Sequence, residues 1–86
     1  MTTVAIQLFG ALREAEPDAL LRLESAATDI RQLRAEVDAI AAARWPAQAR
    51  ALLQRSAFSS ATTILRDADA LPSDGVLALL PPVSGG

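Results

Sequence analysis

The residues best suited to chemistry in this chain are its last six, Pro81-Pro82-Val83-Ser84-Gly85-Gly86. Two adjacent prolines fix φ and remove two backbone donors, so the segment is expected to leave the preceding apolar run extended and unable to pair within a sheet. At about 3.3 Å per residue, six residues reach roughly 20 Å, far enough to enter a cavity in another protein. Gly85 and Gly86 have no side chain. They form an end narrow enough to thread a tight channel and present there the carboxylate of Gly86. A carboxylate is a poor electrophile, but once a partner enzyme adenylates it the carbonyl opens to attack by a sulfur or nitrogen nucleophile. A glycine pair at a chain end is also what an inert, frayed terminus looks like. The two prolines ahead of it favour the working reading.

The rest of the composition narrows the chemistry. The sequence has no Cys and no His, which excludes a disulfide framework, a thiolate nucleophile, a Ser-His triad and a structural zinc site. No metal site is expected. Sulfur handled by such a chain cannot be held as a cysteine persulfide, and the C-terminal carboxyl is the attachment point that remains. All eight basic residues are Arg, so there is no side-chain amine for isopeptide attachment to itself or for Schiff-base chemistry. The net charge of -2, with both signs interspersed, argues against a nucleic-acid footprint or a basic membrane patch, and a protein partner fits better.

A chain of 86 residues buries only about 60–65% of its unfolded surface, so function is expected at a surface rather than in an enclosed site. Leu, Ile, Val and Phe make up 23 of the 86 residues, above the level of a disordered chain. The opening Met-Thr-Thr-Val lacks a basic n-region and an apolar h-region. No apolar run approaches the roughly 20 residues that span a bilayer, and the expected location is the cytoplasm.

The elements that would position the tail can be read in order. Val4–Phe9 is a predicted strand with Val4, Ile6 and Leu8 on the core face, which puts Phe9 on the outer face, as a contact residue or under a covering loop. Gly10–Asp18 reads as a connection in which Arg13 is solvated or makes a polar contact, and Leu20–Glu24 as a second strand forming a hairpin with the first. Asp29, with Gln32 three residues on, caps a helix whose buried stripe is Ile30, Leu33, Val37, Ile40 and Ala41. Its charges Arg31, Arg34, Glu36 and Asp38 read as a solvated face. Trp45-Pro46 ends that helix, and Pro46 opens a short second one running to about Arg55, anchored by Leu52 and Leu53. Ala61–Leu65 is the predicted third strand, Pro72–Gly75 a turn, and Val76–Leu80 a central strand buried on both faces. Strand, strand, helix, short helix, strand, strand indicates an α+β domain with one main helix across a mixed sheet. Residues 1–80 form the domain and 81–86 the reactive tail.

The ending Leu79-Leu80-Pro81-Pro82-Val83-Ser84-Gly85-Gly86 resembles the C-terminus of the MoaD family, the small sulfur-carrying subunit of molybdopterin synthase. Leu8-Phe9-Gly10-Ala11-Leu12-Arg13-Glu14 is similar to that family's opening. Where the family usually has asparagine this chain has Ala61, and the family's acidic turn is reduced to Asp74-Gly75. The resemblance implies a ubiquitin-like β-grasp, with Gly86 adenylated and then thiocarboxylated, and Gly85 entering the partner's channel beside it. It implies docking through Phe9, Arg13, Ile64 and Leu80, with Pro81, Pro82, Val83 and Ser84 in the partner's groove. The implied partners are a MoaE-like large subunit in a heterotetramer, an E1-like adenylating enzyme (MoeB-like) that consumes ATP, and a sulfurtransferase. No bound cofactor is implied, and the chain is a co-substrate rather than a stand-alone enzyme. Three rivals share these residues: a sulfur carrier for thiamine, cysteine or tRNA thiolation, a ubiquitin-like modifier, and a plain interaction domain without C-terminal chemistry.

Overall fold

Val4, Ile6 and Leu8 alternate with Ala5 and Gln7, and this period of two makes a strand with one apolar face. In the computed structural model, which describes residues 1–82, all three are buried. The elements in chain order are β1 (Thr2–Leu8), β2 (Leu20–Ser25), α1 (Ile30–Arg44), α2 (Ala47–Gln54), β3 (Ala57–Ser59), β4 (Ile64–Leu65) and β5 (Val76–Leu80). The strands form one mixed sheet in the order β2-β1-β5-β3-β4. β1 pairs antiparallel with β2 (Val4 opposite Leu23, Ile6 opposite Leu21) and parallel with β5 (Ile6 opposite Leu77, Leu8 opposite Leu79). β3 pairs antiparallel with both β5 and β4.

α1 lies across one face of this sheet. Its Ile30, Leu33, Val37 and Ala41 are buried in one cluster with Val4, Ile6, Leu8, Leu21, Phe58, Leu77 and Leu79. Burying a side chain of this size stabilises the fold by about 1.5–3 kcal/mol, which makes the stripe the main reason the helix stays on the sheet. Asp29 caps the helix by accepting from the Gln32 backbone N–H at 2.9 Å. At the other end Pro46 forces Trp45 to an extended ψ of 147°, and the Trp45 N–H still closes the last turn on the Ala41 carbonyl. No helix among the described residues is long and apolar enough to cross a membrane.

Four sequence expectations need correction. The charges of α1 are not simply a solvated face. Arg34 is half-buried, donates to the carbonyls of Leu53 and Ser56 at 3.0 and 2.9 Å, and stands 5.1 Å from the Phe58 ring centroid, where it closes the C-terminus of α2. Glu36 accepts from the Ser25 hydroxyl and the Ala26 N–H, and Asp38 from Gln54. Only Arg31 of the four is fully exposed.

The predicted strand Ala61–Leu65 is instead the end of a hairpin. Its first strand is β3, led by the fully buried Phe58, and Ser60–Thr63 is a turn. The Ser60 hydroxyl accepts from the N–H groups of Thr62 and Thr63 at 3.3 and 3.2 Å, holding two β-branched residues out of the ladder. The connection after β1 is not merely a loop. It forms two 3₁₀ turns, Gly10–Ala15 and Pro17–Ala19, and the fully buried Leu12 seals the end of the core. Finally, β5 is central but covered on one face only: Leu77 and Leu79 are buried, while Val76 is exposed and Ala78 and Leu80 are half-buried.

Candidate docking face and tail root

The uncovered face of the sheet can be built from the register. The pairings Gln7 with Leu20, Gln7 with Ala78, Ser59 with Ala78 and Ser59 with Ile64 place Leu20, Gln7, Ala78, Ser59 and Ile64 in one row across all five strands. Neighbouring strands lie about 4.8 Å apart, so this row runs roughly 19 Å. One step towards the tail, Ala57 pairs with Leu80, and one step away Arg22, Ala5 and Val76 form the next row. Every residue named here alternates with a core residue. The face is therefore mostly apolar, and no helix among the described residues lies over it.

Three large side chains stand out of it: Phe9 is 40% exposed, Ile64 55% and Val76 56%. Phe9, Val76 and Ala78 line a shallow groove of about 290 Å³ between the Ser60–Thr62 and Pro72–Asp74 turns. Of the residues expected to dock, Phe9, Ile64 and Leu80 thus share this face. Arg13 is exposed on the 3₁₀ turn and makes no side-chain hydrogen bond among the described residues. Val76 was not foreseen. Its signal was present in the apolar run Val76–Leu80, where a strand with only one covered face must show alternate residues to solvent.

Two glycines shape the ends of this face. Gly75, at φ +70°, turns the chain into β5 so close to β1 that a Cβ would lie 2.5 Å from the Thr3 carbonyl oxygen, and its own carbonyl accepts from the Ala5 N–H at 2.8 Å. Gly10, at φ +59°, lies against the root of the tail, and a Cβ there would come within 2.7 Å of Pro81 Cγ. Pro81 and Pro82 are half-buried beside it, directly after the last residue of β5. Val83, Ser84, Gly85 and Gly86 lie outside the described residues.

A charge cluster around a buried carboxylate escaped the sequence reading. Glu16, only 8% exposed, accepts from Arg44 Nε and Nη2 at 2.8 Å each and from Trp45 Nε1 at 2.7 Å. Burial alone would raise its pKa, but the bonds from Arg44 and Trp45 and the Arg44 charge outweigh it and hold the carboxyl below its ordinary value. The same bond to Glu16 raises the pKa of Arg44. The cluster ties the connection after β1 to the end of α1, which makes it a clamp on the fold rather than a reactive site.

No protein-family model matches the sequence, and no curated protein matches it. Among solved structures the chain is similar to SAMP1 from Haloferax volcanii, with a TM-score of 0.66 and 19% identity over 99% of this chain and 100% of that one. The fold is a ubiquitin-like β-grasp. At that identity the likeness is one of architecture. This chain's mixed five-strand sheet with helices is the architecture that matches SAMP1.

Proposed function

We propose that this chain is the sulfur-carrier subunit of a molybdopterin synthase, delivering sulfur as a thiocarboxylate on Gly86. One juxtaposition carries the reading. The central strand β5 hands over to Pro81-Pro82 at the rim of an uncovered apolar face, and the sequence then ends Val83-Ser84-Gly85-Gly86. A large subunit (MoaE-like) seated on Phe9, Ile64, Val76 and Leu80 would have the chain end within reach, since four residues beyond Pro82 span at most about 13 Å.

The chemistry belongs to partners, and this chain supplies the reacting carbonyl. On an E1-like (MoeB-like) enzyme the Gly86 carboxylate attacks the α-phosphorus of ATP, releases pyrophosphate and becomes an acyl adenylate. The outer sulfur of a sulfurtransferase persulfide then displaces AMP to give an acyl disulfide, and a thiol reductant cleaves its sulfur–sulfur bond to leave the thiocarboxylate. The large subunit, in a heterotetramer with this chain, takes the sulfur for the dithiolene, and the catalytic site is its own. The test is the intact mass of the chain after incubation with adenylating enzyme, ATP, sulfurtransferase persulfide and a thiol reductant, followed by addition of the large subunit and the pterin precursor. Replacement of one oxygen by sulfur, then sulfur transfer to the pterin, supports the reading. Thiocarboxylation without transfer would redirect it to a thiamine, cysteine or tRNA pathway.

A second reading is a ubiquitin-like modifier, favoured by the shared fold with SAMP1 and served by the same activated Gly86. It requires isopeptides on lysines of other proteins, visible in cell extracts as higher-mass conjugates.

A further inference from the structure

We propose that the free edge of β2 pairs with the same edge of a second copy of this chain, antiparallel and in one register, so that two sheets join edge to edge. The pairing does not rest on the chemistry of Gly86.

The two edges of the sheet differ. β4 is two residues long, too short to template a partner, whereas β2 runs six residues, Leu20–Ser25, without a proline or glycine. Which of its backbone groups face outward follows from β1. The N–H groups of Ala5 and Phe9 donate to the carbonyls of Gly75 and Leu79, so the odd-numbered residues of β1 turn their backbone towards β5 and the even-numbered ones towards β2. Val4 and Ile6 are therefore the hydrogen-bonded partners of Leu23 and Leu21. Leu20, Arg22 and Glu24 turn their backbone away from the sheet. The Leu20 N–H is taken by the Pro17 carbonyl. Among the described residues the backbone N–H and C=O groups of Arg22 and Glu24 pair with nothing.

Charged side chains on an edge normally deter pairing. Here their signs select a register instead. With Leu23 of each copy on a two-fold axis, Arg22 of either copy stands opposite Glu24 of the other, and each such pair exchanges two backbone hydrogen bonds. Both side chains are exposed on the uncovered face, where opposite charges directly across two strands attract. Glu24 is already oriented, since its Oε1 accepts from the Thr3 hydroxyl at 2.6 Å, and its Oε2 is left for the arginine. Moving the axis by one residue sets Arg22 against Arg22 or Glu24 against Glu24.

Leu23 points the same way. It lies on the core face between Leu21 and Ser25, which are buried, yet it is itself only half-buried. On the axis it meets Leu23 of the second copy as a non-hydrogen-bonded pair with Cα atoms about 4.5 Å apart, the arrangement that brings side chains closest. The contact thus completes a burial that one copy leaves unfinished. None of Phe9, Ile64 and Val76 belongs to β2, so the face assigned above to the large subunit stays open. Strands about 4.8 Å apart put the two β5 strands roughly 24 Å from each other and antiparallel, with the two tail roots leaving in opposite directions.

The test is sedimentation of the full chain beside Arg22→Glu, Glu24→Arg and the double exchange. A contact this small is weak, and the unsubstituted chain is expected to rise from 9.0 kDa towards twice that mass as its concentration approaches about 1 mM. Each single reversal sets like charges opposite one another and should weaken association at least about tenfold, while the double exchange should restore it. Cross-linking gives a second readout, because the chain has no cysteine of its own. Leu23→Cys places a thiol on the axis at a Cα spacing that suits a disulfide, and under mild oxidation it is expected to give a covalent dimer faster than Ile64→Cys on the other edge. A chain that stays monomeric up to that concentration would overturn the proposal and leave the edge to an extended segment of another protein. Association indifferent to both reversals would overturn it as well, and so would faster cross-linking at Ile64, which would put the contact elsewhere.

Discussion

Glu16 allows a worked prediction, because its surroundings assign a cost to each change. Glu16→Ala takes the acceptor from the indole N–H of Trp45, itself only 4% exposed. Leaving one buried donor unpaired costs about 1–3 kcal/mol. The two bonds from Arg44 add little more, since its side chain is 55% exposed and water screens the pair. The expected loss is about 2–3 kcal/mol for Glu16→Ala and about 1 kcal/mol for Glu16→Gln, which keeps an oxygen for Trp45. The sign with pH follows from the lowered pKa. The unfolded carboxyl binds its proton first, so the stabilisation is fully present above the ordinary value of 4.5 and is lost as pH falls through the lower folded value. Glu16→Gln should flatten that part of the acid dependence. Urea unfolding followed by the fluorescence of Trp45, the single tryptophan, measures all of this if repeated from neutral to about pH 3. A Glu16→Ala chain within about 0.5 kcal/mol of the unsubstituted one, or an unchanged acid profile in Glu16→Gln, would refute the reasoning.

Leu33→Ala removes a fully buried side chain from the middle of the α1 stripe and is expected to cost about 2–4 kcal/mol in denaturant unfolding; a change near zero would mean the helix does not pack as described. Gly75→Ala would drive a Cβ into the Thr3 carbonyl from a left-handed backbone, with at least about 1–2 kcal/mol lost and a lower urea midpoint. Ile64→Glu and Phe9→Glu, on the uncovered face, should shift stability by no more than about 0.5 kcal/mol yet weaken large-subunit binding by about 2 kcal/mol, near thirtyfold by calorimetry. Unfolding of either variant would make these packing residues instead.

What the sequence made legible was wherever one local rule acted alone. Asp29, Gln32 and the spacing of Ile30, Leu33, Val37 and Ala41 specify a capped amphipathic helix without help from the rest of the chain, and the structure has it within one residue. The alternation in β1 and the β2 hairpin were similarly local. Thr62 and Thr63 misled because β-branched residues favour strands, whereas here one hydroxyl, that of Ser60, captures their N–H groups and makes a turn. The Glu16 cluster was invisible because its partners are 28 and 29 residues away and no spacing links them. The usable hint was Trp45, whose indole N–H must find an acceptor if buried. The outer face was half legible: the alternation of β1 placed Phe9 on it and the family resemblance named Ile64 and Leu80, while the bare side of β5 depends on no second layer covering the sheet, which periodicity cannot report.

The most direct measurement is adenylation of a chain lacking Gly86, with thermal unfolding recorded in parallel. Truncation leaves Gly85 as a terminus roughly 3 Å short of the position where activation occurs, and a misplacement of about 1 Å can already cost a hundredfold in rate. The buried core among the described residues ends at Leu79, so the melting temperature should barely move. Pyrophosphate release with the adenylating enzyme and ATP is expected to be lost in the truncated chain and in Gly85→Val, and retained in the full one. Normal adenylation of the truncated chain would contradict the assignment of Gly86 as the sulfur site.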